Sequence, residues 1–153
     1  MKIMDILVKD AVILDLESNA KNGILDEMSR ALAAADPSVS ADRLLTVLIE
    51  REGLQSTGIG EGVAIPHGKM AGLERLLASF ARSKEGVDFD SIDGQPTQLY
   101  FLLVVPEHSG GQHLKALARI SRFFRDPAFR EKLLGATSTE EIFRAIDEED
   151  AKF

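Results

Sequence analysis

Between Leu99 and Val105 the chain reads Leu-Tyr-Phe-Leu-Leu-Val-Val, carries no charge, and stops at Pro106. The run is far too short to cross a membrane as a helix, which takes roughly 20 residues. Its lack of polar alternation means that both faces are apolar, so it predicts a central strand covered on each side. Such a strand needs helices for its two faces, and the remaining sequence offers them.

Val12-Ile13-Leu14-Asp15-Leu16 predicts a short strand, and Leu76 to Ala81 another. From Ser18 onward, Ala20, Ile24, Leu25, Met28, Leu32 and Ala35 recur at helical spacing until Asp36-Pro37 ends the run. A second helix is predicted over Ala41 to Leu54, with Leu44, Val47, Leu48 and Arg51 along one side. A third should begin near Gln112 or His113, with Leu114, Leu117, Ser121 and Phe124 as its buried stripe. Asp126 before Pro127 caps a fourth that Gly135 is placed to end, and Ser138-Thr139-Glu140-Glu141 reads as a capping box for a fifth. Strands mixed with helices predict an α/β layer fold. At 153 residues and 44% hydrophobic content, one domain spanning residues 1–153 can bury an ordinary core.

The absence of cysteine excludes disulfides, thiolate nucleophiles and cysteine metal sites. An acid at Asp5 falls where a signal peptide needs an apolar run, and a cytoplasmic protein with no membrane insertion is expected. The formal charge is -7, with 18 basic residues read as dispersed among 25 acidic ones. That balance opposes binding to nucleic acid or anionic lipid and favours a partner with a basic docking patch.

Between Thr57 and Gly62 three glycines fall in five residues, which predicts a tight excursion. Val63-Ala64-Ile65 then resumes extended structure and delivers His67 just past its end, between Pro66 and Gly68. The proline makes a rigid entry and the glycine leaves freedom to turn, an arrangement that would expose the imidazole. By local sequence alone His67 is a proton-transfer group, a metal ligand, a phosphoryl acceptor or an unreactive loop histidine. His113, in the first turn of its helix, suits an anion or the orientation of a neighbouring histidine, or is simply a cap residue. Arg51 offers a planar fork for phosphoryl oxygens, or an ion-pair partner for Glu50 or Glu52. A metal held by His67, His108 and His113 matches no specific ligand spacing. The glycine-rich stretch lacks the lysine of a P-loop, and no dinucleotide fingerprint, Gly-x-Ser-x-Gly elbow or kinase motif set is present, so no cofactor is expected.

Taken together, Arg51-Glu52, Thr57-Gly58-Ile59-Gly60-Glu61-Gly62-Val63-Ala64-Ile65-Pro66-His67-Gly68 and Pro106 through His113-Leu114 resemble the phosphotransferase-system IIA family of the mannitol, fructose and nitrogen-regulatory type. The resemblance runs the length of the chain. It implies a three-layer α/β/α sandwich with a central mixed sheet, and His67 as acceptor, through Nε2, of phosphate from an HPr-like phosphocarrier. It further implies that His113 supports His67 and that Arg51 neutralises phosphoryl charge, beneath a shallow apolar docking rim. Two branches share these features: regulatory proteins acting on target proteins through their phosphorylation state, and sugar-specific components donating phosphate to a separate IIB protein. The absence of an attached IIB or IIC domain in these residues leans toward regulation. A non-catalytic anion-binding adaptor is the reading from a different class.

Overall fold

In chain order the computed structural model, which describes residues 1–153, has helices α1 (Lys21–Ala35) and α2 (Ala41–Leu54). Strands β1 (Gly58–Gly60), β2 (Val63–Ala64), β3 (His67–Met70), β4 (Leu77–Val87) and β5 (Thr97–Pro106) follow. Helices α3 (Gln112–Phe123), α4 (Pro127–Gly135) and α5 (Thr139–Asp150) complete the chain.

The apolar run lies in β5, at the middle of the sheet. On one side β5 pairs antiparallel with β4, from Leu77 opposite Val104 to Arg82 opposite Leu99. On the other it pairs parallel with both β2 and β3. These two short strands keep a single register: Val63 faces Leu99, Ala64 faces Tyr100, His67 faces Leu103 and Gly68 faces Val104. They are two halves of one strand, continuous through the Pro66 carbonyl, which accepts the Leu103 N–H at 2.9 Å. Pro66 has no N–H of its own, so the ladder lacks a rung there.

Side chains alternate along β5 and divide the core into two layers. Leu99, Phe101, Leu103 and Val105 pack with Ala116, Ile120 and Phe123 of α3, Phe129 and Leu133 of α4, and Ile142 and Ile146 of α5. Tyr100, Leu102 and Val104 pack with Ile24, Leu25, Met28 and Leu32 of α1 and Leu44 and Leu48 of α2. The result is the expected three-layer α/β/α sandwich around a mixed sheet.

Three local expectations differ from what forms. Val12–Leu16 is not a regular strand: a 3-10 turn at Lys9–Ala11 precedes a lone bridge between Ile13 and Ala81. The segment touches β4 only at intervals, through Val8 N to Ala78 O, Ile13 N to Phe80 O and Leu16 N to Arg82 O, and the turn takes up the chain between the first two. α1 starts at Lys21 instead of Ser18, because the Glu27 carboxylate reaches back and accepts the N–H groups of Glu17 and Ser18, holding that stretch outside the helix. In α3 the buried stripe is Ala116, Ile120 and Phe123; of the expected residues Phe124 is buried and Leu117 packs partly against the core, while Leu114 is 62% exposed. The predicted caps form: Asp126 accepts the Ala128 N–H, and Ser138 accepts the Glu141 N–H while Glu141 accepts from Thr137.

A candidate phosphoryl site at the start of β3

His67 is the first residue of β3, so it lies within the sheet and not past a strand end. Its ring is half-buried instead of freely exposed. Gly68 does not turn the chain either. It sits in register opposite Val104, and a Cβ there would come within 2.4 Å of Val47 Cγ1 on α2. A glycine fits at this point because the Val47 side chain of α2 packs directly against the strand backbone. The preceding hairpin turns tightly, as expected: Glu61 (φ 57°) and Gly62 (φ 75°) form a two-residue connection whose paired positive φ values suit a type I′ turn.

The imidazole Nδ1 lies 2.8 Å from the Ile65 carbonyl oxygen. A carbonyl oxygen only accepts, so Nδ1 carries the proton of the neutral ring and Nε2 keeps its lone pair. Ile65 is itself fixed from α2. Its N–H donates to Thr57 O at 3.1 Å, Thr57 N donates to Glu52 Oε1 at 3.0 Å, and the Thr57 hydroxyl donates to the other Glu52 oxygen. Lys21 Nζ, 3.1 Å from Glu52, neutralises that buried carboxylate. Glu52 therefore orients His67 through two intermediates, Thr57 and Ile65. Its pairing with Lys21 and Thr57 joins segments that the sequence shows only as separate, so nothing in the local sequence marks this role.

Burial is the main influence holding the His67 pKa below the ordinary histidine value of 6.5. The Ile65 hydrogen bond and the Glu52 charge work the other way, while the Arg51 and His113 charges lower it further. The net effect favours the neutral ring at neutral pH. It also places Arg51 and His113, from α2 and α3, close enough to His67 for their charges to be felt at one ring.

Arg51, in the last turn of α2, makes no ion pair with Glu50 or Glu52. Its guanidinium Nη1 instead donates to the Gln55 carbonyl at 2.7 Å, closing the helix end and leaving its charge uncompensated by a bound carboxylate. His113 is the second residue of α3, after the Gly111 N-cap, with Nδ1 3.0 Å from Ser109 Oγ. The Glu107–Gly111 loop brings α3 back from the end of β5, where Pro106 pairs with Met70 of β3. His108 is exposed and faces a separate groove with Asp5, Glu74 and Arg75. No three histidine or carboxylate side chains converge in metal-binding geometry anywhere in the molecule.

Two exposed apolar side chains are near these residues in the chain: Leu54, 84% exposed and three residues beyond Arg51, and Leu114, 62% exposed and next after His113. A wide groove runs along α3 and a smaller one lies between α4 and α5, and neither is lined by His67, His113 or Arg51. The α3 groove corrects the expectation of dispersed basic charge. Lys115, Arg119, Arg122 and Arg125 line it together, and no acid occurs between Gln112 and Arg125. No helix is long and apolar enough to cross a membrane.

Comparison with known proteins agrees with this architecture. A nitrogen regulatory protein of Bradyrhizobium diazoefficiens is 41% identical over 146 residues, covering 95% of each chain. The fructose-specific EIIABC component of Bacillus subtilis is 39% identical over 150 residues, covering 98% of this chain and 24% of that larger protein. The crystal structure of the nitrogen regulatory protein IIA-Ntr from Neisseria meningitidis superposes with a TM-score of 0.88 at 38% identity, over 94% of this chain and 98% of that one. Residues 5–149 match the model of the phosphoenolpyruvate-dependent sugar phosphotransferase system EIIA 2 family, and with that match the chain belongs to this family of phosphotransfer proteins.

Proposed function

We propose that this protein is a phosphohistidine relay in which Nε2 of His67 accepts a phosphoryl group from an HPr-like phosphocarrier. The supporting observation is the Nδ1 contact with the Ile65 carbonyl, which leaves Nε2 unprotonated and free of any hydrogen bond within the chain. In the transfer, the Nε2 lone pair forms a bond to phosphorus as the donor N–P bond breaks, and the donor imidazole leaves with that electron pair. His67 keeps its Nδ1 proton throughout, and the positive charge of the phosphorylated ring is eased by the Ile65 carbonyl. The phosphoryl group passes through a loose transition state with charge spread over its oxygens, so catalysis is positioning and electrostatic stabilisation. Arg51 supplies the permanent positive charge and His113 an N–H donor. In this reading exposed Leu54 and Leu114, near Arg51 and His113 in the chain, are apolar surface on which the carrier docks.

The regulatory branch is the reading we favour for the step after phosphorylation. Its support is the 41% identity to a nitrogen regulatory protein over nearly the whole length of both chains. Phosphorylation would then alter which target proteins are bound. The sugar-specific reading, with a separate IIB protein as phosphate acceptor, draws on the likeness to the fructose-specific component. A non-catalytic anion-binding adaptor would hold phosphate without exchanging it.

Incubation with a phosphorylated HPr-like carrier, followed by intact mass measurement, separates these readings. The expected result is one acid-labile phosphate on the wild-type protein and none on a folded His67→Ala variant. Undiminished labelling of that variant would remove His67 as acceptor, and no labelling of the wild type by competent donors would favour the adaptor. Return of the label to an added IIB protein would favour the sugar branch.

A further inference from the structure

The two histidines of the site need opposite proton arrangements, and only one of them has been accounted for. His67 must present a lone pair at Nε2, which the Ile65 carbonyl arranges. A group that steadies phosphoryl oxygens must instead present a proton, because a ring nitrogen with a lone pair would repel them. His113 can do this as a neutral ring only in the tautomer with hydrogen on Nε2 and the lone pair on Nδ1.

We infer that Ser109 is a positioning residue of the phosphoryl site, its hydroxyl donating to Nδ1 of His113 and so fixing His113 as an Nε2–H donor. The inference rests on the relay reading above. The Ser109 Oγ to His113 Nδ1 distance is 3.0 Å, a well-formed hydrogen bond, and it is the only hydrogen bond to the His113 ring within the chain. A hydroxyl rotates freely about its C–O bond and can therefore meet a lone pair on Nδ1 with its proton. An imidazole in water already prefers hydrogen on Nε2, so the serine reinforces the intrinsic preference and also fixes the plane of the ring. The anchor is local: Ser109 O accepts the Gln112 N–H at 3.3 Å, tying the serine to the first turn of the helix that carries His113. The pair is thus complementary to its neighbour. A backbone acceptor sets His67 as nucleophile, and a side-chain donor sets His113 as proton-bearing support. The Ser109 hydroxyl comes from four residues before His113, in the loop that leads into α3.

The test compares wild type with Ser109→Ala and Ser109→Thr. Nitrogen-15 NMR of the histidine rings at about pH 8, where an ordinary imidazole is neutral, reads the tautomer directly. The expected wild-type signature for His113 is hydrogen on Nε2, kept in S109T and replaced by a tautomer mixture in S109A. Phosphoryl transfer from a phosphorylated HPr-like carrier should slow on the order of tenfold in S109A, the low end of the loss seen when histidines that hold a ligand lose their orienting partner, and recover in S109T. Hydrogen on Nδ1 of wild-type His113 would overturn the inference, as would S109A with an unchanged tautomer and wild-type transfer. A wild-type protein that takes no phosphate would instead overturn the relay reading, and the ring spectrum distinguishes that failure from a failure of Ser109.

Discussion

A ring nitrogen attacks phosphorus only while it holds a lone pair, and two separate features protect that condition at His67. The Ile65 carbonyl decides which nitrogen is free, and burial, reinforced by the Arg51 charge, favours the neutral ring. Because the folded pKa lies below the unfolded value near 6.5, the unfolded chain takes up a proton first as the solution is acidified. The linked stability is therefore present above about pH 6.5 and lost as pH falls from there through the lower folded value. An NMR titration of His67 should place its midpoint below that of a free histidine. In Arg51→Ala the midpoint should rise, since a repelling positive charge is gone, and transfer should slow roughly tenfold to a thousandfold if the guanidinium acts like an oxyanion donor. An unmoved midpoint with wild-type transfer would take Arg51 out of the site.

The elements contribute by closeness of packing, and Gly68 is where that closeness is most demanding. Gly68→Ala places a methyl group against Val47 Cγ1 and should destabilise the protein by about 1–3 kcal/mol, the usual cost of overpacking. Adding Val47→Ala should restore part of the loss, which denaturant unfolding of the two variants would show; equal midpoints for wild type and G68A would contradict the contact. Sequence pattern alone pointed to a turn at this glycine, because the approach of a second element leaves no trace in the residues beside it. β5 was legible for the opposite reason: both its faces are apolar, and that is written in consecutive residues. For α3 the helix was evident but its rotation was not. Leu114 fits an apolar period as well as Ala116 does, and only the basic residues at 115, 119 and 122 mark the outer side.

At the scale of the molecule, the order of elements was readable in advance because the helices show apolar periodicity, α4 and α5 carry capping residues, and the central strand fixes the layers. The sequence singled out His67, His113 and Arg51 as a candidate site. Its wiring was not, since Lys21, Glu52, Thr57 and Ile65 meet only when α1, α2 and the β1–β2 hairpin come together. The fold converts those distant residues into one oriented, half-buried imidazole at the start of β3. The most direct measurement is to phosphorylate the protein from an HPr-like carrier and locate the phosphate by rapid peptide mapping, with nitrogen-15 and phosphorus-31 NMR to identify the bonded nitrogen. The account predicts a single phosphate on Nε2 of His67; attachment at Nδ1, or on His108 or His113, would contradict it.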